Sequence, residues 1–204
     1  MIKTPIYIEN ILSDEICKFA ASSFRLHARA LAYINPESVK EHGFDEKTWS
    51  LYCAPVTESL AEHLTPLVEK AVGKELWPTY SYGRVYGHGA RLDRHADRRS
   101  SEYTVSLCVE KDSTPWNLVI ETDNEPFSID VQKGAAVIYS GRDYFHYRDG
   151  PFKGREQVQF FLQYVDKHGD SADLKWDTRP ELGLPYEFTD PRVQEELFNQ
   201  LTGL

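Results

Sequence analysis

Between Tyr80 and Val165 the chain is a succession of short runs rich in Val, Ile, Tyr, Phe and Thr, broken by Gly, Pro, Asp and Asn. Such runs read as strands joined by turns, and no helical periodicity competes with them. The first 75 residues read differently. Ser13 or Asp14 can cap a helix bearing Ile16, Phe19, Ala20 and Phe24, and Thr57 a second one bearing Leu60, Leu64, Leu67, Val68 and Ala71, with Gly73 after it. Pro66 either kinks that second helix or starts a new one. The order, helices first and strands after, predicts a mainly β chain with flanking helices (α+β), a jelly-roll-type sandwich buttressed on one outer face.

Length sets the scale. A chain of 204 residues, 41% hydrophobic and 13% aromatic, can bury one substantial core. The expected organisation is a single domain over 1–204: helical support in 1–75, the strand core in 76–169, and an extension in 170–204. In that extension Asp190 and Pro191 open a short helix carrying Val193, Leu197 and Leu201. Its apolar stripe covers either its own domain or a partner, so a monomer and a homodimer both stay open.

Charge and cysteine usage remove some functions. The formal net charge is −9, which argues against nucleic acid, whose binding depends on counterion release by a basic surface. Arg91, Arg94, Arg98 and Arg99 form a local basic cluster. Its arginines either pair with neighbouring carboxylates or draw an anion towards a pocket mouth. There is no 18-residue apolar run and no signal-peptide pattern, so a cytoplasmic protein without membrane attachment is expected. Cys17, Cys53 and Cys108 are odd in number and far apart; they are expected as reduced thiols.

Two segments carry chemistry. Tyr82-Gly-Arg-Val-Tyr86 leads into His95-Ala-Asp97, and Tyr139 leads through His146 to Arg155. Two imidazoles and one carboxylate are the donor set of a 2-His-1-carboxylate iron site, which holds the metal on one face and leaves the other open. His95 and Asp97, two apart, project to one side of an extended segment. A second His-x-Asp, His168-Gly-Asp170, lies in a polar loop with no histidine after it. A rival scheme would keep His95 and Asp97 but take His168 as distal ligand, with Arg179 following. Strand-forming runs flank His146 and Arg155, whereas Arg179 sits in a turn-like Asp-Thr-Arg-Pro-Glu, so His146 is preferred.

Through Leu76 to Tyr82, Arg84-Val-Tyr86, Leu92 to Arg98, Trp116, Gly134 to Tyr139 and His146 to Tyr164, the chain resembles the Fe(II)/2-oxoglutarate dioxygenase superfamily, in its prolyl-4-hydroxylase-like branch. The resemblance covers residues 76 to 169. It implies a double-stranded β-helix core, with His95, Asp97 and His146 on iron and a basic residue nine or ten after the distal histidine on the far carboxylate of 2-oxoglutarate. Arg155 fills that position, and Tyr86 matches the family's co-substrate tyrosine. Where many relatives have Gly-Asp before the late strand, this chain has Gly134-Ala135, a change expected to affect a turn.

The implied activity is oxygen-dependent hydroxylation of a small-molecule or peptidyl substrate. It would release succinate and CO2, with ascorbate as a stimulant. Halogenating relatives have a small residue in place of the carboxylate, so Asp97 favours hydroxylation. Tyr82, Arg84, Trp116, Tyr139, Arg142 and Gln159 are candidates for the pocket. Tyr80 and Tyr82 are also accounted for as half-buried strand residues. Two other classes fit part of the pattern: a zinc hydrolase on the same ligands, which leaves Arg155 and Tyr86 unexplained, and a metal-free jelly-roll binding module.

Overall fold

The computed structural model describes residues 2–34 and 47–184. In chain order the elements are β1 (Ile6–Ile8), α1 (Asp14–Ile34), β2 (Thr48–Tyr52), α2 (Pro55–Val72), β3 (Leu76–Gly87), β4 (Tyr103–Lys111), β5 (Leu118–Ile120), β6 (Phe127–Ile129), β7 (Ala136–Tyr139), β8 (His146–Arg148) and β9 (Glu156–Asp166). A 3-10 segment, Ala172–Thr178, follows. The strands form two antiparallel sheets, one of six in the order β1-β7-β4-β9-β3-β2 and one of three in the order β6-β5-β8. The architecture is the expected α+β one. The helix expected to open at Asp190 and Pro191 and to carry Val193, Leu197 and Leu201 lies outside the described residues.

Period-2 alternation divides the large sheet into two faces. Val105, Leu107, Ile138, Val158, Phe160, Leu162 and Tyr164 join the main core with residues of α1 and α2. Their neighbours Cys108, Val137 and Tyr139 face the other way and pack with Leu118 and Ile120 of the small sheet. The helices therefore seal one face, and the small sheet covers the other.

Some local expectations shift. Ser13 caps α1, its hydroxyl accepting from the Ile16 amide at 3.3 Å, but the buried stripe is Cys17, Ala20, Ala21, Phe24 and Ala28. Ile16 and Phe19, expected inside, are 45% and 68% exposed. The reason is close approach: a Cβ on Gly83 of β3 would fall 2.3 Å from the Phe24 ring, so this glycine draws Phe24 onto the sheet, and the alanines beside Phe24 allow the helix to follow. In α2 the cap is Ala54 with Pro55 behind it rather than Thr57, whose hydroxyl donates to the Ala54 carbonyl at 2.9 Å. Helix α2 runs through Pro66 unbroken, and Gly73 closes it at φ 69°, donating to the Glu69 carbonyl. Strands β1 and β2 arise before Tyr80, because edges of the large sheet recruit Ile6–Ile8 against β7 and Thr48–Tyr52 against β3.

Candidate metal centre

His146 opens β8, the edge of the small sheet. His95 lies in the loop between β3 and β4, and a two-way backbone pair, His95 N–H to His146 O at 3.1 Å and His146 N–H to His95 O at 2.7 Å, holds it against β8. Asp97, two residues on, is fixed by its own amide, which donates to the Gly141 carbonyl at 2.9 Å. The loop is thus stitched to the small sheet and to the β7–β8 turn at once. This brings His95, Asp97 and His146 together with their ligand atoms within 4.8 Å of one another, the only such cluster among the described residues.

The donor chemistry fits a divalent metal. His95 Nδ1 lies 2.8 Å from the Asp93 carbonyl and His146 Nδ1 3.1 Å from the Tyr144 carbonyl. Each contact requires a proton on Nδ1, which leaves the Nε2 lone pair free. Both Nε2 atoms face Asp97 Oδ1, at 3.8 Å and 3.7 Å. The other carboxylate oxygen, Oδ2, accepts from the Thr104 hydroxyl at 3.0 Å, so Oδ1 is the one left for a ligand. Burial also pushes the His146 imidazole down from its usual range, favouring the neutral form that a metal requires.

Gly141 makes the arrangement possible. A Cβ there would sit 2.1 Å from Thr104 Oγ1 and 2.3 Å from Asp97 Oδ2. Thr104 also lies 2.7 Å from Gln163 Oε1. A hydroxyl has one proton, so with Thr104 donating to Asp97 the Gln163 amide must turn its N–H towards the hydroxyl. Neither residue stands out in the sequence, where Thr104 reads as a strand former and Gly141 as a turn.

Behind the triad the interior between the sheets is polar and aromatic. The Tyr139 ring meets His146 edge-on at 4.9 Å, and Tyr86 meets Trp116 edge-on at 5.0 Å. Arg84 Nη1 donates to the Tyr86 hydroxyl at 3.3 Å and the guanidinium lies over Tyr82. Gln157 donates to Gln159, and Gln159 to Ser106, each at 2.9 Å. Arg148, two residues after His146, is enclosed between the sheets with its guanidinium over Trp116. Nothing in the sequence reading singled out Arg148 or Gln157, although strand alternation puts Arg148 on the same side of β8 as His146.

Other candidates lie elsewhere. Arg155 is exposed in the β8–β9 loop, and its amide donates to Asp112 Oδ2 at 2.7 Å. Arg142 is held by Glu102 at 3.1 Å and Ser171 at 3.0 Å. His168 is exposed on Glu75 at 2.5 Å, and Arg179 is buried on Glu58 at 2.9 Å; neither joins the triad. Of the basic cluster, Arg94, Arg98 and Arg99 pair with Glu121, Asp177 and Asp173. All three cysteines are free and buried, and among the described residues no helix is long and apolar enough to cross a membrane.

No family model matches the chain, and no curated protein matches it. Solved structures do. A Pseudomonas putida prolyl-4-hydroxylase is similar at TM-score 0.59 and 11% identity, over 79% of this chain and 92% of that one. AviO1 from Streptomyces viridochromogenes Tue57 is similar at 0.61 and 15%, over 82% and 91%. HygX from Streptomyces hygroscopicus, solved with nickel and 2-oxoglutarate bound, is similar at 0.57 and 13%, over 84% and 89%. At these identities the likeness is one of fold.

Proposed function

We propose that this chain, which has the fold of the Fe(II)/2-oxoglutarate oxygenases, prolyl-4-hydroxylases among them, is a non-haem Fe(II)- and 2-oxoglutarate-dependent dioxygenase that hydroxylates a small-molecule or peptidyl substrate. The observation that carries this is the convergence of His95, Asp97 and His146 at the mouth of the sandwich, each with its second polar atom already engaged. Fold alone would not suffice, because one fold hosts many functions. The donor set suits iron, and the protein named in one similar structure holds a divalent metal with 2-oxoglutarate.

Bound iron would supply activation of dioxygen coupled to oxidation of the keto acid to succinate and CO2. The residues of the chain set the conditions for that. His95, Asp97 and His146 would hold the metal and would leave positions for the co-substrate and dioxygen. The carbonyls of Asp93 and Tyr144 fix the imidazole tautomers, and Thr104 fixes the carboxylate rotamer. Tyr86, on the interior face of β3, would contact the co-substrate, and Tyr82 and Arg84 on the same face would face the substrate. Asp97 keeps a carboxylate where a halide would otherwise bind, which favours hydroxylation. Three free, buried thiols are consistent with work in a reducing, cytoplasmic compartment.

The test is substrate-stimulated or basal succinate release from protein supplied with Fe(II), 2-oxoglutarate and ascorbate. Succinate forming under air and absent under nitrogen is the expected result. Turnover that needs neither oxygen nor 2-oxoglutarate would turn the assignment towards a hydrolase.

A further inference from the structure

Arg148 is 3% exposed, and the one hydrogen bond its side chain makes among the described residues runs from Nη1 to the Trp116 carbonyl at 2.5 Å. Its Nε and Nη2 atoms are buried and meet no acceptor among the described residues. Tyr86, Cys108, Tyr139 and Asp130 interact with it electrostatically. The one carboxylate in that group, Asp130, is already bonded to Lys111 and to the Trp116 amide. A guanidinium does not deprotonate in a protein, so this is a full positive charge enclosed without a counter-ion among the described residues. Buried charges of that kind are kept when an anion completes them.

The surroundings say which anion. Tyr139 also has a buried hydroxyl with no partner among the described residues. Tyr139 touches His146 on one side and acts on Arg148 on the other. His146 and Arg148, two positions apart on β8, have backbones about 7 Å apart, the scale of a five-carbon dicarboxylate laid along the strand. One end of such a molecule would meet the metal at His146, and the other the open donors of Arg148 and Tyr139. Arg155 offers no such enclosure, being exposed beside Asp112.

We infer that Arg148, with the Tyr139 hydroxyl, receives the distal carboxylate of the 2-oxo acid, in place of Arg155. This rests on the dioxygenase assignment and deepens it. The anchor sits two residues after the distal histidine, on the same strand and the same face, rather than on the following strand. A guanidinium there can donate two parallel charge-assisted hydrogen bonds to a carboxylate.

The experiment titrates 2-oxoglutarate and 2-oxovalerate, which lacks the distal carboxylate, into anaerobic Fe(II)-loaded protein, following the metal-to-ligand absorbance and the melting temperature. Wild type should bind 2-oxoglutarate far more tightly than 2-oxovalerate. Arg148→Gln should raise the 2-oxoglutarate dissociation constant by roughly thirtyfold or more and leave 2-oxovalerate nearly unchanged, so discrimination collapses while iron content holds. Arg155→Gln should retain the discrimination. Arg148→Lys, which keeps a charge, should retain part of it, and this guards against a variant that merely folds poorly. Without ligand, Arg148→Gln should melt no lower than wild type, since it removes an uncompensated charge. If wild type binds 2-oxoglutarate and Arg155→Gln loses it while Arg148→Gln does not, the anchor is wrong and the dioxygenase assignment survives. If wild type shows neither absorbance nor thermal response to either keto acid, both fall.

Discussion

The two faces of the six-stranded sheet are built to opposite rules. The outer face is apolar and matched to its cover: Phe24 drops onto Gly83, stacks on Trp49 at 5.5 Å and meets Phe160 edge-on at 5.1 Å. The inner face places Thr104, Ser106, Gln157, Gln159, Gln163 and Arg84 on the same strands, all buried. Several interior atoms, Tyr139 Oη, Gln157 Oε1 and two nitrogens of Arg148, have no partner among the described residues. Burying polar groups without partners opposes folding. The contrast teaches a division of labour, in which the helix-covered face is closely packed and apolar while the face under the small sheet leaves polar atoms without partners among the described residues.

The sharpest way to break this comparison is at the triad. His95→Ala should abolish stoichiometric iron loading and turnover together, measured by metal analysis and succinate release, while His168→Ala leaves both intact; the reverse outcome would move the site. On the opposite face, Phe24→Ala should cost about 3 to 5 kcal/mol of stability by urea unfolding, yet the folded fraction should bind iron as wild type does. A large change in iron affinity there would show that the faces are not independent.

Asp97→Gly sharpens the same division. It should lose most oxygen-dependent succinate formation, yet without metal its stability should fall by less than about 1 kcal/mol, a shift no larger than about 2 to 4 °C. Gly141→Ala is a subtler probe, since its methyl would collide with Asp97 and Thr104. It should weaken iron binding about tenfold, equivalent to about 1.4 kcal/mol, and unchanged affinity would mean the turn simply yields. The smallest effect concerns the cysteines. Burial pushes the Cys108 thiol up to about 12 and Cys53 likewise to about 12, so both should resist alkylation at pH 8 until the protein unfolds; rapid labelling of the native protein would contradict the packing of Cys108 between the sheets.

Local chemistry determined a good deal of this protein. Residue type and spacing picked out His95, Asp97 and His146 because metal ligation demands those donors, and alternation marked the strands because a strand with two different faces must alternate. Local patterns fell short where a long-range contact chose among equivalents. Two neighbouring stripes of α1 are both apolar, and only the groove at Gly83 decided that Phe24 and the alanines go inside while Ile16 and Phe19 stay out. β1 and β2 are short runs that exist as strands through the partners they pair with. The same holds at the site. Arg148 and Arg155 are both arginines shortly after a histidine, and the sequence resemblance pointed to the second. Tertiary structure enclosed the first and exposed the second, and whether an arginine is a surface charge or an unmet charge in the interior depends on what the rest of the chain packs around it.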